Sequence, residues 1–201
     1  MNGEKIVYTE KHEEIYEDNN RLTKSRTFYF DAKNKHFATE RNQFTTEDYA
    51  FPVSRIEYPG EDIYEGSRYD NGHYVIYRKM KDNPQEEEFY KEEGLVIGGQ
   101  GIHYYLAHHL DKIKANQVTS FTYLIPARLT SFIFRYVFLK EENGFFHIKV
   151  ELDSWLLRLV APSFTAIYDH KNKRIVSYEG LSNWKDEAGN LQKVLIHYKY
   201  E

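Results

Sequence analysis

The chain has 201 residues, a formal net charge of −4 and no cysteine, which excludes disulfides, thiolate metal sites and cysteine nucleophiles. This slightly acidic balance provides no overall field to gather nucleic acid, so no nucleic-acid partner is expected. Aromatic residues make up 16% of the chain, with 18 Tyr and 13 Phe, and such residues favour pleated strands.

The opening MNGEKIVYTEKHEE contains neither a signal-peptide core nor a transmembrane run. It fits an exported, periplasmic mature form carrying an added Met, the preferred expectation, or a cytoplasmic protein. Residues 5–16 and 21–30 read as hairpin arms around Glu17-Asp18-Asn19-Asn20, followed by a strand near 36–44. Shorter strands at 52–58 and 63–69 flank Pro59-Gly60. Asp70-Asn71-Gly72 then turns the chain into 73–80, because Asn and Gly tolerate positive φ. Another strand is expected at 87–91, and meander connectivity is the simplest arrangement.

The stretch GLVIGGQGIHYYLAHHLDKIKAN, Gly94 to Asn116, breaks the strand pattern. Ile102, Leu106, Leu110 and Ile113 share one helical face, bordered by Tyr105 and His109. One helix is expected over about 100–114, with Gly98, Gly99 and Gly101 as a flexible entry. Strands follow at 118–125 and 130–140. In the second, Phe132, Phe134, Tyr136 and Phe138 alternate with Ile133, Arg135, Val137 and Leu139. Two apolar faces predict a central strand covered on both sides. Phe146, Ile148, Val150 and Leu152 alternate instead with His147, Lys149 and Glu151, the pattern of a strand packed on one face. The run Trp155, Leu156, Leu157, Leu159 and Val160 reads as ordinary core, or as a lip that admits a lipid. Strands at 164–169, 174–179 and 193–200 complete the chain, giving about ten strands in a single β-rich domain over residues 1–201.

No constellation carries a recognisable reaction. Gly98-Gly99-Gln100-Gly101 has Tyr104 where a dinucleotide fingerprint needs its last glycine, and reads as a tight strand-to-helix connection. His103, His108 and His109 lack the four-residue spacing of helical zinc ligands, so no metal or other cofactor is expected. The carboxylates cluster in turns, and no activated serine elbow is present, so no catalytic residue is assigned. Arg128 and Arg135 lie in apolar surroundings. Arg135 either reaches an anionic head group as a planar donor or leads its charge out to water.

Tyr168-Asp169-His170-Lys171-Asn172-Lys173-Arg174-Ile175-Val176-Ser177-Tyr178-Glu179-Gly180-Leu181-Ser182-Asn183 resembles uncharacterised bacterial β-rich proteins, in which two strands around a polar turn precede the last strand. The order of elements is similar to the lipoprotein-carrier architecture and, more loosely, to the lipocalins. That resemblance implies binding of acyl chains or other apolar molecules.

The expected fold is mainly β (α+β), a strongly curved antiparallel sheet or incomplete barrel wrapped around one main helix. The expected function is non-enzymatic binding of a hydrophobic or amphiphilic, lipid-like small molecule. Phe132, Phe134, Arg135, Tyr136, Phe138, Tyr105 and His109 are its candidate contacts. The alternatives are a protein-interaction domain solid inside, or a hydrolase with a site gathered from separate strands. Apolar area lining a void favours ligand binding; an exposed apolar patch favours the protein-interaction domain.

Overall fold

The computed structural model describes residues 5–17, 20–116, 118–159, 162–185 and 189–201. Asp18 and Asn19 of the first expected turn, and Val160 of the apolar run, lie outside these. Among the described residues the protein is mainly β, with fourteen strands in two open, largely antiparallel sheets of seven.

The first sheet runs in chain order through β1 (Tyr8–Tyr16), β2 (Leu22–Asp31), β3 (His36–Gln43), β4 (Val53–Glu57), β5 (Ile63–Asp70), β6 (His73–Met80) and β7 (Glu86–Tyr90). The Asn-Gly turn signal holds: Asn71 and Gly72 have φ of 49° and 81°, and Asp70 pairs with His73. The second sheet has the order β14-β13-β12-β11-β10-β9-β8. Its strands are β8 (Val96–Gly98), β9 (Val118–Ile125), β10 (Thr130–Glu142), β11 (Phe145–Leu152), β12 (Phe164–Asp169), β13 (Arg174–Lys185) and β14 (Leu191–His197). By contacts the chain forms two compact units, Met1–Gly101 with Leu124–Ser131, and Ile102–Tyr123 with Phe132–Glu201.

A single curved sheet around one helix is therefore replaced by two sheets. Turn signals identify which neighbours pair, but not where pairing stops. It stops after β7, where the acidic loop ahead of Gly94 (φ 92°) ends the ladder. The helical segment is divided into α1 (Gly101–His108) and α2 (Leu110–Asn116). At the division His109 N–H is shared between the carbonyls of Tyr105 and Leu106, at 3.1 and 3.2 Å, a bifurcated bond that tightens the turn. The expected apolar face survives, with Ile102, Leu106, Leu110 and Ile113 all buried.

The glycine entry is tight rather than flexible. Gly98 N–H donates to the Ala50 carbonyl at 3.1 Å, and a Cβ on Gly98 would stand 2.7 Å from the Phe51 ring. Short β8 was hidden by these glycines, which weaken any strand signal.

In the first unit Ile76, Val96 and Leu124 form a packed apolar cluster. Beside it the buried face of β2 to β5 is unusually polar, carrying Ser25, Thr27, Glu40, Asn42, Ser54 and Ser67.

Candidate binding surface of the second sheet

One face of β10 presents Phe132, Phe134, Tyr136 and Phe138, as the two-residue period requires. Phe134 stacks on Phe121 of β9 with centroids 6.1 Å apart and meets Tyr123 edge-on at 5.9 Å. Tyr136, fully buried, lies 6.3 Å from the same Phe121, and Phe138 meets Phe146 of β11 at 5.6 Å. Phe132 is half-buried at the start of the strand. Tyr105 and His109 stack on each other at 4.2 Å, and His109 Nδ1 donates to the Tyr105 carbonyl at 2.8 Å.

The other face of β10 departs from the expected coverage, because Ile133 and Leu139 are about half exposed. The cause is charge. Arg135 stands between them, opposite Glu151 in the β10–β11 register, and its Nε and Nη2 donate to Glu151 Oε1 at 3.0 and 2.6 Å. Lys149 Nζ lies 2.6 Å from the second carboxylate oxygen, and Arg158 Nη1 approaches to 3.7 Å. Burial raises the Glu151 pKa, but Lys149 and Arg135 outweigh it and hold the carboxyl below its ordinary value. Three cations on one carboxylate leave this knot net positive. The alternation of β11 placed Glu151 towards solvent; it is instead 7% exposed beneath its partners.

Next to the knot the run expected as core is turned outward. It forms α3 (Trp155–Arg158), a single turn between β11 and β12. Trp155, Leu156, Leu157 and Leu159 are 65%, 57%, 42% and 75% exposed. Arg158 explains the placement: its Nη1 donates to the Leu152 and Asp153 carbonyls at 3.2 and 2.9 Å, tying the turn to the end of β11. One helical turn held in this way has no second turn with which to cover its own apolar side chains. Asp153 N–H donates to the Ile133 carbonyl at 2.9 Å, so exposed Ile133 adjoins the turn.

The three histidines of the helical segment have separate roles. His103 Nδ1 lies 3.1 Å from Tyr168 Oη, and its ring is 6.3 and 6.0 Å from those of Phe164 and Tyr178. His108 Nδ1 donates to the Tyr104 carbonyl, as His109 does to Tyr105. Arg128, at the end of the 3-10 turn Pro126–Arg128, is exposed.

A second constellation escaped the sequence reading because a buried acid inside a strand leaves no local signal. Glu40 of β3 is 3% exposed and accepts hydrogen bonds from Tyr29 Oη (2.9 Å), Gln100 Nε2 (3.0 Å) and Asn42 Nδ2 (3.3 Å). Burial raises its pKa against the opposing pull of these donors. Glu65 of β5 lies on the same face, with Ile56 between them in the register. Burial, with the Glu40 charge, pushes Glu65 up to about 7.

A carboxyl raised in this way keeps its proton in the folded state where the unfolded chain has lost it. Its contribution is full below the ordinary value of 4.5 and disappears as pH rises through 7. Melting curves across pH 4.5–8 should therefore show the wild type losing stability relative to Glu65→Gln as pH rises. A difference independent of pH would show that Glu65 ionises normally.

Among the described residues no group of three His, Asp or Glu side chains is placed to hold a metal ion. No protein-family model matches the chain, and neither a curated protein nor a solved structure shows significant similarity to it.

Proposed function

We propose that this is a non-enzymatic binding protein for an anionic amphiphile, engaged at the surface of the second unit. The observation that carries this reading is the exposed Trp155–Leu159 run standing beside the net-positive Arg135–Lys149–Arg158 knot. Exposed apolar side chains of this size mark interaction sites more often than accident. Tryptophan suits a boundary between water and hydrocarbon. The cations would take the charged head while the turn meets the apolar tail.

The exposed patch also favours a second reading, a protein partner docking on the turn. Oleate and a neutral monoglyceride, followed by Trp155 fluorescence in a Trp184→Phe background, distinguish the two. Arg135→Ala is expected to weaken oleate binding about tenfold, the loss of roughly 1.4 kcal/mol from a charge-assisted contact. The neutral lipid should be nearly unaffected. An equal loss for both would mean lost packing, and no binding of either would favour the protein partner.

A further inference from the structure

The first sheet carries a row of arginines that the packing of the protein does not require. On the face opposite Ser25, Thr27 and Tyr29, the registers place Arg26 of β2 beside Arg41 of β3, and Arg41 beside Arg55 of β4. Like charges directly opposite one another across strands are unfavourable, and a sheet seldom retains three in succession without use for them.

Their counter-charges are too few. Glu57 serves both Arg41 and Arg55, the latter at 2.7 Å. Burial raises the Glu57 pKa, but the two guanidinium groups outweigh it and lower the value overall. Glu13 stands opposite Arg26 in the β1–β2 register, yet pairs with Lys11 at 3.1 Å. Arg26 makes no ion pair among the described residues; its guanidinium lies 5.8 Å above the Phe28 ring. Lys24, two residues earlier on the same strand face, is exposed as well.

Neighbouring strands are about 4.8 Å apart, and two residues along a strand cover about 7 Å. Lys24, Arg26, Arg41 and Arg55 therefore crowd into one small exposed area. The geometry is partly fixed in advance, since Arg55 lies 3.8 Å over the Tyr64 ring with its planar donors held in place. An open cleft of ≈ 420 Å³ adjoins the row at Lys24 and Gln43, with Thr45, the exposed Ile15 and Arg21, which stands 4.0 Å from Glu17, also lining it.

We infer that this face is a binding site for an anion bearing two or more phosphate groups, which lie along the Arg26–Arg41–Arg55 row while the rest of the ligand extends into the cleft. Arginine forks match phosphate oxygens two at a time, and the bound anion relieves the repulsion within the row. The site lies in the first unit and is independent of the amphiphile reading. The phosphates belong either to a soluble oligophosphate or to the head groups of phosphorylated lipids.

Titration calorimetry with tripolyphosphate and orthophosphate tests the first source. Tripolyphosphate should bind at least tenfold more tightly, with an affinity that falls as salt rises. Arg26→Gln, at an exposed position without an ion pair, should remain folded and weaken binding several-fold. Arg26→Gln with Arg41→Gln should weaken it by tenfold or more. Lys193→Gln, which breaks an exposed pair with Glu179 on β13, should change nothing. Phosphatidylcholine vesicles containing a phosphatidylinositol bisphosphate test the second source, in a Leu156→Asp background so that the exposed turn does not contribute. Vesicle binding abolished by the two arginine substitutions would support the site and identify lipid phosphate as its source. Binding of neither probe, or binding that survives loss of both arginines, would overturn the proposal.

Discussion

Glu40→Ala is expected to destabilise the protein by about 3 kcal/mol, because three donors would each lose a buried acceptor. Tyr29 Oη and Gln100 Nε2 both point to Glu40 Oε2, while Asn42 Nδ2 points to Oε1. Water does not reach a side chain that is 3% exposed, so the lost bonds are not replaced, and Gln100 Nε2 and Asn42 Nδ2 keep only their longer bonds to Tyr29 Oη and Ser25 Oγ, both 3.3 Å. Glu40→Gln separates the role of shape from that of charge. The glutamine oxygen can take the place of Oε2, and its amide then faces Asn42. Asn42 Oδ1 is buried and lacks a partner among the described residues, so turning the Asn42 amide over supplies the acceptor that the new donor needs. The glutamine variant should therefore cost less than the alanine variant at neutral pH, in line with a site that disfavours the charged carboxylate. Urea unfolding of the two variants is the check, and equal losses would refute this account of the cluster.

Gly101→Ala is the second large effect, and its sign is opposite to the usual one. Glycine to alanine within a helix ordinarily gains up to about 1 kcal/mol. Here a Cβ would fall 2.1 Å from the Ala50 carbonyl oxygen, 2.7 Å from its carbon and 2.9 Å from Pro52 Cδ. That carbonyl cannot swing aside without breaking the hydrogen bond it accepts from Gly98 N–H. A loss of about 2–3 kcal/mol is expected from this overpacking, or roughly 5–10 °C in melting temperature for a protein of this size. Gly60→Ala is the comparison: its Cβ meets nothing within 4 Å, so only the φ of 81° opposes it. It should cost about 1 kcal/mol. If Gly101→Ala melts at the wild-type temperature, the close approach to Ala50 does not exist in solution.

Local pattern made much of the fold legible. The Asp-Asn-Gly and Glu-Asn-Gly turns occur where expected, with positive φ at Asn71, Gly72, Asn143 and Gly144. The alternation of β11 as far as Val150 and the helical face from Ile102 to Ile113 likewise follow from spacing alone. Features that depend on distant partners were not legible. Glu40 in HFATERNQ resembles any charged residue of a half-exposed strand, and its partner Gln100 is sixty positions away. The arginine row exists only once the registers of β2, β3 and β4 are known, and the net charge of −4 averages it out. The Trp155–Leu159 run was misread because apolar composition defaults to core, whereas Arg158 anchors the turn from outside.

The meander has a consequence for how the chain acquires its structure. Each ladder in both sheets joins strands consecutive in sequence, and within the first sheet every connection is a loop. Each new pairing therefore closes only a short segment, with little chain entropy lost per step. Such a meander pairs strands at shorter sequence separations and should fold faster than a sheet whose strands return from far along the sequence. During synthesis the first sheet can grow strand by strand, each completed hairpin offering its free edge to the next segment to emerge. The growing edge is then the one about to be covered, while β1 remains an edge strand throughout.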